Sequence, residues 1–454
     1  MKIHIIGGGT MIHVRPHFSV CAPAFGTFAR AIAEELHQHG LRHEMHLTRM
    51  AGGSNMLETN YDLACLADDL VADQAPKLVF WTPAVADWKP SWGSQDLQRK
   101  NDILGHGYPL GAVTTGAEAV WGKTAPRLKT RHPLGGGQGL HLNFEPTEKI
   151  INKFRSNRAG VVARKDIFLV ACKTTTGATD DEMFLAGLKM LKDSSCNLVL
   201  VNDIHRRQNM IVTPEQARYC VTMNRALVAK ELVDMATARS TGTFTRSTVV
   251  PGEPVSWHDD RVFPALRAVV DHCIANGAYK DILNRDATVG HFAQKLDSNR
   301  FLTSRRNSNF NRMAEVGLVE VEAGADNTQV TAHGFKPSVG GQSQRIIFNE
   351  HEGFDCIFHA HVPLKPGAGD GTDGYGAIGK ATQWGNECGS HQCGQQTSNN
   401  LQEVAPGIKA VFLSNHGPNI VFQHDADPQR VIDYIDSTFD LSRHTGQDSG
   451  VVPA

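Results

Sequence analysis

Short apolar runs alternate with helical stripes through the first half of the chain. Lys2-Ile3-His4-Ile5-Ile6 predicts a strand that runs into Gly7-Gly8-Gly9-Thr10. A helix follows, with Phe28, Ile32 and Leu36 on one stripe and Gly40 just past its end. Leu78-Val79-Phe80-Trp81, Ile167-Phe168-Leu169-Val170 and Asn197-Leu198-Val199-Leu200-Val201 predict further strands. Between the last two, 180–192 predicts a helix with Met183, Leu185, Leu188 and Leu191 available for its buried face. Strands that alternate with helices imply a parallel sheet covered on both faces. Ligands of such sheets gather at the carboxyl ends of the strands.

The pattern breaks at 240–254, which is polar, bears proline and glycine, and has no period. A helix at 262–275 comes next, and then an α/β succession with antiparallel-type alternation. A glycine-rich polar stretch at 365–397 reads as a functional or mobile loop. The chain has 454 residues, more than one hydrophobic core usually organises. The expected division is a first domain at 1–240, a linker at 241–256 and a second domain at 257–445.

Composition is ordinary for a globular protein, 41% apolar and 20% charged. A formal charge of −2 gives no electrostatic reason to expect nucleic acid or an anionic membrane as partner. Arg305, Arg306 and Arg312 form a local basic cluster, read as a solvated face with a small phosphate as the functional option. Nine cysteines in a chain this long follow no disulfide framework and favour a reducing compartment. Cys388 and Cys393 match no common zinc spacing and read as part of a polar loop. No apolar run approaches the roughly 20 residues that span a bilayer, and nothing resembles a signal peptide. The expectation is a cytoplasmic protein.

Histidines carry the candidate chemistry. Ile357-Phe358-His359-Ala360-His361 places two imidazoles two residues apart, so an extended strand points both to one side. His416, in Asn415-His416-Gly417, would add a third imidazole from a later strand. Three imidazoles with one position left open suit catalytic zinc. With 22 histidines in the chain, chance pairs are the alternative.

A series of clauses marks the first half: Gly7-Gly8-Gly9-Thr10, Gly26 leading a helix, Ala84-Val85-Ala86-Asp87-Trp88-Lys89-Pro90, Arg127-Leu128-Lys129, Lys173-Thr174-Thr175 and Val201-Asn202-Asp203. In this order they resemble the phosphopantothenoylcysteine synthetase family over residues 1–235. The resemblance implies a Rossmann-like sheet, CTP or ATP with Mg²⁺, and a dimer. It puts Gly8, Gly9, Thr10, Ala86, Asp87, Lys129, Asn202 and Asp203 at the nucleotide, with Lys129 on the phosphates. Ser19 stands where the family carries the asparagine that assists its acyl intermediate, and Thr175 where a glutamate is expected. Ser19 and Lys129 are the candidate catalytic residues.

The second half, 257–441, resembles the class II aldolase/adducin family. Gly290-His291-Phe292-Ala293, Arg300-Phe301-Leu302-Thr303-Ser304, Lys336-Pro337-Ser338, the histidine pair and Asn415-His416-Gly417 carry that resemblance. It implies a central antiparallel sheet, Zn²⁺ held by His359, His361 and His416, and tetramers. The family's proton-moving carboxylate would fall at position 340, which is Gly340 here. Glu350 and Glu352 lie nearby in sequence and read as surface residues.

The combined expectation is a bifunctional enzyme, a nucleotide-dependent carboxylate–amine ligase-like half joined to a zinc-dependent lyase half acting on a small hydroxy-carbonyl metabolite. Its partners would be small-molecule substrates and further copies of itself. Two other readings stay open: a single-activity lyase or epimerase whose first half only binds a nucleotide, and a binding protein without turnover.

Overall fold

A computed structural model describes residues 1–15, 17–54, 56–91, 143–155, 164, 166–281, 283–324, 328–338 and 341–445. The chain is α/β with mixed sheets. It divides into two compact units: Met1–Cys172 with Asp193–Asn197, and Lys173–Lys192 with Leu198–Ala454.

The first sheet has seven strands, ordered Arg218–Thr222, Asn209–Val212, Leu198–Asp203, Ile167–Thr175, Lys77–Trp81, Lys2–Gly7 and Glu44–Leu47. Glu44–Leu47, Lys2–Gly7, Lys77–Trp81 and Ile167–Thr175 run parallel. The pairs made by Asn209–Val212 on either side are antiparallel, so the sheet predicted as parallel is mixed. The first helix, Thr27–Gln38, buries Phe28, Ala29, Ile32 and Leu36, and Gly40 follows it with φ +68°. Helix Asn60–Ala72 starts with reciprocal hydrogen bonds between Thr59 and Asp62 that satisfy its first N–H groups. Helix Asp180–Ser194 begins the same way, with Thr179 and Glu182 bonded to one another's backbone N–H. It buries Met183, Phe184, Leu188 and Leu191; Phe184 takes the place expected of Leu185, which is only half-buried.

The second unit contains a ten-stranded, largely antiparallel sheet. Its main path runs Arg246–Val250, Gln329–His333, Leu318–Ala323, Arg300–Ser304, His291–Lys295, Cys356–His359, Gly417–Phe422, Ile408–Ser414 and Gly379–Thr382, with Gln402–Ala405 paired to Ile408–Ser414. Two pairs at its ends are parallel. The polar stretch expected to be a connection therefore contributes a strand, Arg246–Val250, at one rim. The stretch expected to be one long loop contains Gly379–Thr382 and the start of helix His391–Asn399.

Both faces of this sheet are covered, as the alternation of its strands dictates. Phe292, Phe358 and Ile420 join one apolar cluster, with Trp257, Tyr279 and Phe422. Ala293, Ile357 and Val421, one residue along in register, join another. Helix Pro264–Ala275 packs Leu266, Val269, Val270 and Cys273 into the first cluster, and its proline sits where a missing N–H costs nothing.

Candidate functional site

The register of three neighbouring strands assembles a three-histidine cluster, the candidate metal centre. His359 ends Cys356–His359 and stands opposite His291 on one side and Asn419 on the other. His361 lies two residues further on, just past the strand's end, with its ring centroid 5.1 Å from that of His359. The hairpin of Ile408–Ser414 and Gly417–Phe422 turns at Asn415 and His416. Asn415 takes φ +62°, a left-handed conformation that asparagine tolerates better than most residues. Gly417, at φ +141°, lets that turn lie against the His359–His361 segment; a Cβ there would come within 2.2 Å of the Ala360 carbonyl oxygen.

The result is three buried imidazoles whose ligating nitrogens lie within 4.8 Å of one another. Ring centroids are 4.5 Å apart for His359 and His416, 4.4 Å for His361 and His416, and 5.1 Å for His359 and His361. The His359 Nδ1–H donates to the Pro418 carbonyl at 2.6 Å, which leaves the Nε2 lone pair free. That Nε2 is 3.3 Å from the His416 Nε2. Two ligands on one tetrahedral zinc, with bonds of about 2.0–2.1 Å, stand about 3.3–3.4 Å apart. The Nδ1 atoms of His361 and His416 are buried and have no hydrogen-bond partner among the described residues. Burial pushes the His359 imidazolium pKa down to about 4, and those of His361 and His416 well below the ordinary value. All three are therefore neutral near pH 7, the state that ligates metal. The residues fit a zinc ion.

Residues unassigned from sequence surround this centre. His291 is buried, its ring centroid 4.7 Å from that of His359. Gln344 donates to its Nδ1 at 2.9 Å, and the Thr303 hydroxyl donates to the Gln344 carbonyl oxygen at 2.8 Å. Thr445 donates its N–H to the His361 carbonyl and its hydroxyl to the His416 carbonyl. The His444 ring lies 5.5 Å from that of His361. The Gly290-His291 clause was the one visible signal, and what it missed is the strand register that sets His291 against His359.

Gly340 and its neighbour Val339 lie outside the described residues. Glu350 and Glu352 are exposed, and Glu350 accepts from Ser398 and Gln395, fixing helix His391–Asn399 to helix Gly341–Glu350. Of the basic cluster, Arg305 lies over the Phe335 ring and Arg312 pairs with Asp286.

In the first unit, the glycine-rich turn joins the Ala86 segment. Gly8 has φ +103°, and a Cβ on Gly9 would come within 2.1 Å of the Ala22 carbonyl. The N–H groups of Gly9 and Thr10 donate to Ala24 and Ala84 carbonyls, so they serve the turn itself. The buried Thr10 hydroxyl donates to Asn60 at 2.6 Å and accepts the Ala86 N–H at 2.9 Å. Asp87 is exposed and pairs with Lys149. Ser19 sits on a two-stranded ribbon opposite His13, whose Nδ1 is 3.1 Å from the Ser19 hydroxyl. The other His13 nitrogen is 3.2 Å from buried Glu58, which Arg49 also pairs. Neither His13 nor Glu58 was anticipated. Lys129 lies outside the described residues.

In the second unit, Thr174 bonds weakly to Asn202 at 3.4 Å. Asp203 is buried, which opposes its charge, but it accepts from Thr175 and from the N–H groups of Gly177, Ala178, His205 and Arg206. These bonds hold its carboxyl well below the usual carboxylate range. Its oxygens are occupied in closing two loops.

No family model and no curated protein matches the sequence. The chain is similar to two kinds of solved structure. One is the DNA/pantothenate metabolism flavoprotein from Streptococcus pneumoniae, at 18% identity over 52% of this chain and 99% of that one, TM-score 0.38. The C-terminal domain of the coenzyme A biosynthesis bifunctional protein CoaBC is of the same kind, at 14% over 51% and 92%, TM-score 0.33. The other kind includes L-fuculose-1-phosphate aldolase from Thermus thermophilus, at 18% over 42% and 92%, TM-score 0.28.

Proposed function

We propose that this chain is an enzyme whose second half is a zinc-dependent lyase of class II aldolase type. The observation that carries this is the convergence of His359, His361 and His416, buried and neutral, with two Nε2 atoms 3.3 Å apart. When bound there, zinc would polarise the carbonyl of a small hydroxy-carbonyl substrate. The chain's own part is to hold three imidazoles deprotonated, to fix the His359 tautomer through Pro418, and to pin both histidine segments through Thr445. The first carboxylate after position 340, Glu350, is tied to Ser398 and Gln395, which leaves the proton to water or another base.

For the first half we propose nucleotide binding at the turn of Gly8, Gly9 and Thr10 with Ala86 and Asp87, and at Asn202 and Asp203. Lys129 would meet the phosphates of CTP or ATP, and Ser19 would stand beside the activated carboxylate. A second reading, binding without ligation, draws support from the Gly9 and Thr10 N–H groups and the Asp203 oxygens, which are engaged within the protein.

Two assays test these readings. Zinc-loaded protein should cleave at least one member of a panel of phosphorylated and free hydroxy-carbonyl compounds, and His361→Ala should abolish the cleavage. A panel with no turnover by zinc-loaded protein would remove the lyase reading. Pyrophosphate release from CTP or ATP, across carboxylate and amine mixtures, tests ligation; Lys129→Ala should abolish it, and no release at all leaves binding alone.

A further inference from the structure

A second set of ligating side chains lies in the first unit. His4 is on strand Lys2–Gly7, and Glu44 and His46 are on the rim strand Glu44–Leu47. The parallel register pairs His4 with Glu44 and Ile6 with His46. Alternation then puts the side chains of 4, 44 and 46 on one face of the sheet.

The distances suit a single small cation. His4 Nδ1 and His46 Nε2 are 3.3 Å apart, with the rings 29° from parallel. The Glu44 Oε2 is 3.5 Å from His4 Nδ1 and 3.9 Å from His46 Nε2. Nearest ligands on a tetrahedral ion with bonds of about 2.0–2.1 Å stand about 3.3–3.4 Å apart. The imidazole pair already has that spacing. The carboxylate, on a side chain 65% exposed, has room to close the remaining few tenths of an ångström. His4 is fixed by burial, its side chain 5% exposed, and His46 is partly open at 26%.

The nearby lysines, Lys2 and Lys77, disfavour positive charge at His4, but Glu44 favours it and Asp73 pairs with both lysines and offsets them. Two imidazoles and one carboxylate select against magnesium and calcium, which take oxygen ligands, and for borderline divalent ions.

We propose that His4, Glu44 and His46 bind a divalent transition-metal ion of the zinc class, with a fourth position open to solvent. The ion would clip the rim strand to its neighbour. A rim strand has one side of its backbone unpaired, and a cross-strand metal clip holds it in register. This centre is independent of the three-histidine centre and of any reaction there.

Cobalt(II), which gives visible bands in tetrahedral sites, is the probe. Full-length protein is stripped with chelator, dialysed and titrated with cobalt, and bound metal is counted by elemental analysis. His359→Ala removes the other centre, and it should still bind one cobalt per chain with a tetrahedral spectrum. Adding His46→Gln, a replacement at a partly exposed position that keeps size and polarity, should abolish that binding while the far-UV spectrum and melting of the metal-free protein stay unchanged. The inference is overturned if His359→Ala binds no cobalt, or if the added His46→Gln leaves its cobalt in place. Either result would mean that the two imidazoles simply share a hydrogen bond.

Discussion

His291 and His359 face each other across two antiparallel strands, rings 4.7 Å apart, yet their partners fix opposite proton positions. The Gln344 amide nitrogen can only donate, its oxygen being taken by Thr303, so His291 Nδ1 accepts and its proton is on Nε2. His359 donates from Nδ1 to a carbonyl, so its Nε2 is bare. One ring thereby presents a hydrogen-bond donor beside the three-histidine cluster, and the other a bare nitrogen to it.

Imidazole ¹⁵N spectra should show this directly, with His291 as the Nε2–H tautomer and His359 as the Nδ1–H tautomer. Gln344→Leu should erase the preference at His291. It should also lower stability by about 1–3 kcal/mol, because buried groups of His291 and Thr303 lose their partner. Unchanged shifts for His291 in that variant would show that Gln344 does not set the tautomer.

Gly417 allows the close approach that delivers His416. Gly417→Ala should push the turn away from Ala360 and weaken zinc binding at the three-histidine centre about 10- to 100-fold, the range seen when ligand-orienting contacts are lost. Competition against a zinc-chelating dye measures this, and wild-type affinity in the variant would contradict it.

The metal-free protein should lose stability with acid in a defined window. Burial depresses the His359 pKa from 6.5 to about 4. Between those values the unfolded chain binds a proton that the folded chain refuses, so stability is complete above pH 6.5 and falls toward pH 4. His359 alone accounts for about 3 kcal/mol of that loss, and His361 and His416 add to it. Urea midpoints recorded across the window should show the slope, and His359→Leu should reduce it while His361 and His416 keep the remainder.

Arg239 and Glu215 form an ion pair with both side chains fully buried, and the guanidinium also donates to the Gln383 and Trp384 carbonyls. Burial disfavours this charge, but Glu215 outweighs that and keeps Arg239 protonated. Glu215→Ala should cost about 3–5 kcal/mol by stranding a buried cation. Replacing both partners together, Glu215→Leu with Arg239→Met, should cost less than the single change. Denaturant titration distinguishes the two, and a mild effect of Glu215→Ala would refute the argument.

The His359–His361 pair was legible in the sequence because strand alternation is local, whereas His416 joins it only through strand pairing and was placed there by the family resemblance. His291 was not, because its place depends on which strands pair and in what register, and a single strand does not encode that. The family resemblance puts the Gly8-Gly9-Thr10 turn at a nucleotide. Its glycines do have the freedom and the close approaches expected, but what competes for the N–H groups is a pair of carbonyls distant in sequence, Ala24 and Ala84. The same limit explains the strands at Arg246–Val250 and Gly379–Thr382. Each is polar and short, and each is a strand only because a remote partner, Gln329–His333 or Ile408–Ser414, lies beside it in parallel.

Strand Arg246–Val250 shields the backbone of Gln329–His333, which it matches residue for residue over five positions. Anyone severing the protein at residue 257 to study its second half alone would strip away that cover. The bared rim would offer its amides and carbonyls to whatever chain came next, and such a fragment would tend to precipitate by strand-to-strand growth. A fragment starting before Thr245 would keep its guard.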